Sequence, residues 1–128
     1  MKQRGFTVIE VLAVAVLLII IGVVFWTQKN NIEVAGLDDK RKTSINAIHY
    51  ALEEVYYAKN SSYPAKIEAS TLPSIDSNLL KDPNGIQIGQ AGSDFRYIPT
   101  NCTASACKSY SVRTTLQNEA DFIKKSRH

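Results

Sequence analysis

The most prominent pattern in the chain is a long apolar block near its start. Residues 11–26 form a run of sixteen positions without a charged or strongly polar side chain. Residues 6–26 together are 21 positions. As an α-helix they would span about 31 Å, close to the roughly 30 Å of a bilayer core. The pattern therefore predicts a hydrophobic helix able to span a membrane.

The next segment, residues 27–60, has the pattern of an amphipathic helix. Ile45, Ile48, Leu52 and Val55 recur at 3-4-3 spacing and share one helical face. The polar residues are expected mainly on the other faces: Asn46, Glu53, Glu54 and Lys59. The apolar stripe covers too few heptads to favour a coiled-coil seam, so we expect it to pack on a small sheet.

The helix is expected to end at Asn60, because two serines follow it and Pro64 prevents its continuation. Residues 64–80 are predicted to be irregular, with a short helical turn around 70–72. The sequence Lys-Asp-Pro-Asn-Gly at 81–85 is a strong turn signal.

Three later segments are strand candidates: residues 86–88, 95–98 and 108–116. The last alternates apolar and polar positions, as a half-buried strand does. Residues 118–125 are expected to form a short terminal helix or an edge strand. The predicted fold class is α+β: a long N-terminal α-helix, with a membrane half and an amphipathic half, packed on a small C-terminal antiparallel β-sheet.

Composition narrows the functional classes. The chain has 128 residues and a net charge of +3, and Lys2 and Arg4 precede the apolar block. The remainder is near neutral, which argues against a dedicated nucleic-acid binder. The basic end, residues 124–128, leaves contact with DNA or an anionic surface open beside a solvated tail.

Catalytic chemistry also finds little support in the sequence. Two cysteines and one internal histidine cannot form a four-ligand zinc site. Phosphate-loop, dinucleotide, zinc-protease and nucleophile-elbow motifs are absent from the sequence. We therefore expect neither an enzyme nor a cofactor.

The basic residues at the start predict an orientation in the membrane. Lys2 and Arg4 place the N-terminus in the cytoplasm and the rest of the chain outside. Disulfides persist there, so Cys102 and Cys107 are expected to form a bridge that pins a turn between two strands. Their four-residue spacing disfavours a redox site.

Glu10 is anomalous, because it is a charge inside the apolar segment. An ionised side chain deep in a membrane helix costs about 2.5–3.5 kcal/mol on insertion scales. Either it lies close enough to the lipid headgroups to reach them, or it has a cationic partner on a neighbouring chain.

Residues 2–11, Lys-Gln-Arg-Gly-Phe-Thr-Val-Ile-Glu-Val, resemble the N-terminus of type IV pilins and type II secretion pseudopilins. The run Ala-Leu-Glu-Glu-Val-Tyr-Tyr at 51–57 and the turn at 81–85 add to the resemblance. In that family a membrane-bound peptidase cuts after the glycine and methylates the new N-terminal phenylalanine. The chain departs from many pilins in having no proline near the end of the apolar block.

The resemblance implies four regions and several site residues. The regions are a leader (1–5), a membrane and filament-core helix (6–26), an amphipathic continuation (27–60) and a small β-rich globular part (61–128). Cleavage would fall between Gly5 and Phe6, with N-methylation of Phe6. Glu10 would be a registry charge that pairs with the Phe6 amine of an adjacent subunit, since an unpaired charge in apolar surroundings is costly.

Two further expectations concern charged side chains. Because pseudopilins often bind calcium in the C-terminal region, Asp82, Asn84 and Asp94 are weak ligand candidates. Capping of the turn is the simpler role for Asp82. The mixed-charge segment 36–42 is expected to be a solvated helix face or to form ion pairs with neighbouring subunits.

The function implied by the resemblance is that of a structural subunit of a type IV pilus-like filament. The subunit would be a single-pass membrane protein with its C-terminus outside, and then part of an extracellular pilus. Its partners would be other copies of the chain, a prepilin peptidase, an assembly platform and an ATPase motor. One alternative is a pseudopilin of a type II secretion or DNA-uptake machine. Another, from a different class, is a signal-anchored extracytoplasmic binding module.

Overall fold

The fold consists of one long N-terminal helix followed by a small antiparallel sheet. The structure, a computed structural model, describes residues 5–128. The elements in chain order are α1 (Val8–Tyr50), a π-helical turn (Ala51–Tyr56), α2 (Tyr57–Asn60), β1 (Tyr63–Pro64), a 3-10 turn (Ser77–Leu80), β2 (Phe95–Thr103), β3 (Ala106–Thr114) and β4 (Phe122–Lys125). The predicted α+β class is confirmed.

The chain divides into two compact units, with the boundary between Ala35 and Gly36. In the first unit, the described residues 5–33 are all exposed. The second unit, residues 36–128, contains the hydrophobic core and is hereafter the globular unit. Helix α1 begins in the first unit and supplies core residues in the second.

The helical region ends at Asn60, as the sequence predicts. Ser61 adopts a left-handed conformation with φ of 51°, and its N–H donates to the Tyr57 carbonyl at 2.8 Å. A residue in this conformation after the last helical position satisfies a free carbonyl and turns the chain away.

Strand β3 is the centre of the sheet. It pairs with β2 along one side, while β1 and β4 pair with successive parts of its other side, all antiparallel. The strands predicted at 95–98 and 108–116 are present as β2 and β3, although β2 continues to Thr103. The edge-strand alternative for residues 118–125 is correct, since β4 lies there.

One local prediction needs correction. Residues 86–88 are not a strand: they contribute only a single bridge between Lys81 and Gln87, because Gly85 and Gly89 bend the chain on either side with φ of 81° and 85°. The predicted turn near 70–72 is present, with Thr71 and Leu72 donating to the Glu68 carbonyl. The 3-10 turn and the two-residue strand β1 were not predicted.

The core lies between the predicted helical stripe and the inner face of the sheet. From the helical region it takes Ile45, Ile48, Ala51 and Leu52. The strands and loops supply Tyr63, Ile67, Leu72, Leu80, Ile88, Phe95, Cys107, Tyr110 and Val112. Val55, predicted on the stripe, is only half-buried.

Candidate functional site

The segment that the resemblance identifies as the cleavage site precedes the helix. Gly5, Phe6 and Thr7 are non-helical and exposed, and α1 begins at Val8. The bond between Gly5 and Phe6 therefore lies outside the regular helical backbone. The predicted basic leader residues Lys2 and Arg4 lie outside the described residues.

Thr7 and Glu10 form a capping box at the start of α1. The Thr7 N–H donates to Glu10 Oε2 at 3.0 Å, and the Glu10 N–H donates to Thr7 Oγ1 at 3.4 Å. The Thr7 hydroxyl also donates to Glu10 Oε2 at 3.2 Å. This reciprocal pattern satisfies free N–H groups at a helix N-terminus. Glu10 thus has a partner within its own chain, which neither of the two sequence alternatives included.

The side chains of the apolar helix that follows are not buried against any other described part of the first unit. Large apolar side chains from Phe6 to Trp26 are 52–82% exposed. The helix is long and apolar enough to cross a membrane. Exposed apolar surface of this extent requires lipid or other protein around it.

A buried ionic cluster joins α1 to loops of the globular unit. Arg41 donates to Asp38 Oδ1 at 3.0 Å and to Asp94 Oδ2 at 2.9 Å, and Asp38 and Arg41 are both buried. Asp38 also accepts the backbone N–H groups of Gln117 and Asn118. Segment 36–42 was expected to be a solvated helix face or to pair with neighbouring subunits. For Asp38 and Arg41 both expectations are wrong, because these residues are buried and form their ion pairs within the same chain.

The surroundings of Asp38 favour its charged form. Burial works to raise the pKa of Asp38, but the two backbone N–H groups and Arg41 outweigh it, so the pKa lies below its ordinary value. Nearby, Lys42 donates to Glu119 at 2.8 Å, and this contact raises the pKa of Lys42.

Of the three weak calcium candidates, Asp82 and Asp94 have carboxylate oxygens engaged with protein groups. Asp82 Oδ1 accepts the N–H groups of Asn84 and Ile86 at 2.9 and 2.8 Å, and Asp82 Oδ2 accepts that of Asp94 at 2.9 Å. The Asp94 carboxylate accepts from Arg41. Within residues 5–128, no group of three His, Cys, Asp or Glu side chains could hold a metal ion. Asp82 therefore caps the turn in this structure.

Glu53 is the main departure from the predicted helix faces. It was expected on a polar face, yet it is only 5% exposed. The π-helical turn Ala51–Tyr56 contains it, and the wider winding of that turn shifts the side chains away from α-helical positions. Sequence periodicity assumes uniform α-helical winding and gives no signal for this shift.

The Glu53 carboxylate accepts hydrogen bonds from three parts of the chain. The hydroxyl of Tyr63 donates at 3.1 Å, that of Tyr110 at 2.9 Å, and the backbone N–H of Arg127 at 3.2 Å. Burial and the hydrogen bond to Glu53 raise the pKa of Tyr63 to about 12. The same causes raise the pKa of Tyr110.

His49 extends this network. Its Nδ1 lies 2.8 Å from the Tyr110 hydroxyl. The single hydroxyl hydrogen of Tyr110 is donated to Glu53, so His49 must donate its Nδ1–H to the tyrosine oxygen. Burial lowers the pKa of His49, which favours the neutral ring.

The end of the chain packs against the same region. Arg127 Nη1 donates to Glu54 at 2.8 Å, and the His128 ring stacks on Tyr57 at 4.3 Å between centroids. Both side chains are nevertheless more than half exposed, at 54% and 53%, so the tail is solvated while it touches the rest of the chain. Through these contacts the segment after β4 lies against the π-helical turn and α2.

The cysteines are bonded as expected. Cys102 and Cys107 form a disulfide between directly paired residues of β2 and β3. It closes the tip of this hairpin, which is the place that the sequence predicted.

The sequence did contain a signal for the Asp38–Arg41 cluster. Positions 38, 41, 45, 48 and 52 continue the 3-4 spacing of the apolar stripe in the N-terminal direction. Polar residues on such a stripe are buried and paired when the helix packs along its whole length. The charge of this segment obscured the pattern.

Comparisons of the chain with models of protein families, with curated proteins and with solved structures found no match in any of the three. What can be said of its function therefore comes from its own sequence and geometry. These give an exposed apolar helix, capped by Thr7 and Glu10, in a chain whose compact globular unit is stabilised by buried carboxylate clusters.

Proposed function

We propose that the protein is a structural subunit of a type IV pilus-like filament, made as a membrane-anchored precursor and assembled by helix packing after removal of residues 1–5. The observation that carries the proposal is the apolar helix, whose side chains all remain exposed within the first unit. Membrane lipid would cover this surface before assembly, and the helices of other subunits would cover it in a filament.

The start of the helix supports the same proposal. Cleavage between Gly5 and Phe6 would leave a cationic amine one residue before the capping box. In the precursor, Glu10 is held by Thr7. In a filament, the Glu10 carboxylate would pair with the amine of an adjacent subunit, where apolar surroundings make such a pair selective for one register.

The globular unit would remain outside the membrane, with the N-terminus in the cytoplasm. Its disulfide suits that compartment. The peptidase, assembly platform and motor follow from the resemblance of residues 2–11 to prepilins. A pseudopilin would share all these features and differ in forming no long surface fibre.

The test is to replace Glu10 in the native host and to examine sheared surface fibres and membranes. We expect Glu10→Ala to be processed but to yield no fibres, with the subunit retained in the membrane. Glu33→Ala is the matched control, because Glu33 is an exposed carboxylate on the same helix outside the apolar block. It should assemble normally.

Thr7→Val separates the two roles of Glu10. It removes the cap, at a cost of about 0.5–2 kcal/mol, but retains the charge. Fibres formed by Thr7→Val and not by Glu10→Ala would support pairing between subunits. Equal loss in both variants would assign the defect to the helix start. Unchanged behaviour of Glu10→Ala would favour a simple anchored binding module.

A further inference from the structure

The face of the sheet that points away from the core carries a concentration of positive charge. Side chains alternate between the two faces of a strand, so the neighbours of buried Phe95, Tyr110 and Val112 point outward. We define the outer sheet face by Arg96, Ile98, Ser111, Arg113, Ile123 and Lys125.

The strand register brings the cations of this face together. Arg96 on β2 is directly opposite Arg113 on β3, and Arg113 is opposite Ile123 on β4. In the adjacent row, Ser111 lies between Ile98 and Lys125. Directly opposed side chains have Cβ atoms about 4.5–5.5 Å apart, and like charges at that distance destabilise a sheet.

Acidic side chains of the described residues neutralise little of the positive charge on the outer sheet face. Arg113 reaches Asp121 at 3.8 Å, and both side chains are more than a third exposed, so the pair is weak. In the part of the chain that the structure describes, Arg96 and Lys125 take part in no ion pair. An anion lying over the face would relieve the repulsion between Arg96 and Arg113.

We propose that the outer sheet face binds the phosphodiester backbone of double-stranded DNA. Arginine, lysine and hydroxyl groups are the usual donors to phosphate oxygens. Thr100 and Ser109, whose hydroxyls lie 2.6 Å apart, extend the face with further donors. The interaction reads phosphates and not base sequence. It needs only a local cluster of cations, so it is compatible with a globular part that is near neutral overall and is not a dedicated nucleic-acid binder.

Two features favour a duplex over a single strand and over a membrane surface. The outer sheet face as defined has no aromatic side chain, and single-strand binding sites rely on aromatic stacking with the bases. Ile98 and Ile123 are 43% and 48% exposed but isolated, and they offer little of the apolar face with which a membrane-surface element inserts.

This inference does not depend on assembly into a filament, since one subunit carries the whole face. If the proposed filament forms, repeated copies would strengthen binding to a long duplex through multivalency.

The test measures binding of the full-length protein, in uncharged detergent micelles, to a fluorescent 30-base-pair duplex by anisotropy. Three phosphate contacts predict a roughly 40-fold loss of affinity between 50 and 200 mM salt. The triple variant Arg96→Gln, Arg113→Gln, Lys125→Gln should bind at least about tenfold more weakly at 50 mM salt, with a flatter salt dependence.

The matched control is Lys59→Gln, Lys66→Gln, Lys81→Gln, which removes the same charge from exposed lysines elsewhere on the globular unit. It should retain wild-type affinity to within about twofold if the outer face carries the contacts. Arg96→Gln alone changes one outward-facing side chain and should weaken binding about threefold. This single variant keeps the proposal testable if the triple variant does not fold.

Three outcomes would overturn the proposal. The first is wild-type binding by both the folded triple variant and Arg96→Gln. The second is an equal loss in the control triple, which would show that net charge alone governs binding. The third is equally effective competition, per charge, by poly-glutamate, which would indicate an acidic protein surface as the partner.

Discussion

Glu53 joins the π-helical turn, two strands and the end of the chain through one carboxylate. A buried acceptor with several donors is expensive to remove, because each donor loses its partner while staying away from water. The network therefore makes the globular unit sensitive to the loss of this single carboxylate.

Replacing Glu53 by alanine should destabilise the globular unit strongly. We expect a loss of about 3 kcal/mol in the free energy of unfolding, because the Tyr63 and Tyr110 hydroxyls lose their acceptor. The measurement is guanidinium unfolding followed by near-ultraviolet circular dichroism of the tyrosines. Glu54→Ala removes an exposed carboxylate that pairs with the exposed Arg127 and should cost less than about 1 kcal/mol. Equal costs in the two variants would contradict the role of Glu53.

Asp38 should give the globular unit a specific sensitivity to acid. Its pKa in the folded state lies below the ordinary value of 3.8. The unfolded chain therefore binds the proton more readily as pH falls. The stabilisation from Asp38 is fully present above about pH 5 and is lost progressively below about pH 4.

The corresponding measurement compares unfolding midpoints between pH 6 and pH 3. Asp38→Asn should be less stable than the wild type at pH 6, and the difference should narrow as the pH falls. Asp39→Asn changes the adjacent exposed carboxylate and should follow the wild-type curve. A constant difference between Asp38→Asn and wild type across this range would rule out the proposed pH linkage.

At the scale of elements, the β2–β3 hairpin is closed twice, by its turn and by the Cys102–Cys107 disulfide. The bridge encloses only four residues, so it removes only a modest amount of conformational entropy from the unfolded chain. Chain-entropy reasoning gives about 2 kcal/mol for a loop of this size.

Reduction of the disulfide should therefore weaken the globular unit without unfolding it. We expect the free energy of unfolding to fall by about 2 kcal/mol after treatment with a thiol reductant. Comparison of oxidised and reduced wild-type protein avoids the separate cost of replacing buried Cys107. Complete loss of tyrosine near-ultraviolet signal on reduction would show that the bridge is essential to the fold.

Sequence periodicity predicted the elements whose side chains repeat regularly. The helical stripe of Ile45, Ile48 and Leu52 is buried as expected. In β3, the alternate residues Tyr110 and Val112 are buried as the pattern predicts. Two features had no regular signal: strand β1, which is two residues long, and the π-helical turn, which interrupts the repeat around Glu53. Both are set by tertiary packing and not by local pattern.

The residues at the start of the helix and the buried carboxylate clusters could be predicted from the sequence to different extents. At the helix start, Glu10 is conspicuous in the sequence because it places a charge in an apolar block, whereas Gly5 and Phe6 are marked only by the resemblance of residues 2–11 to prepilins. The capping role of Glu10 could also have been deduced from Thr-Val-Ile-Glu at 7–10, which is a capping-box pattern. Apart from Arg41 and Tyr63, the partners of Asp38 and Glu53 lie 57–80 positions away along the chain, and no local pattern specifies them.

At the scale of the whole molecule, two physically different units share one chain. Residues 36–128 contain a core and paired buried charges, while the described residues before them expose an apolar helix. The second unit satisfies its own polar groups: among the described residues, no buried side-chain nitrogen or oxygen lacks a partner. The apolar helix is the part that requires surroundings, which is the basis of the filament proposal.

The central claim is that the chain is a precursor cut between Gly5 and Phe6 and then assembled into a surface fibre. Mass spectrometry of the N-terminal peptide, taken separately from sheared surface material and from membranes of the native host, tests it most directly. We predict a peptide that starts at N-methylated Phe6 in the sheared fraction. An intact Met1 terminus in every fraction would contradict the claim and leave a simple membrane anchor.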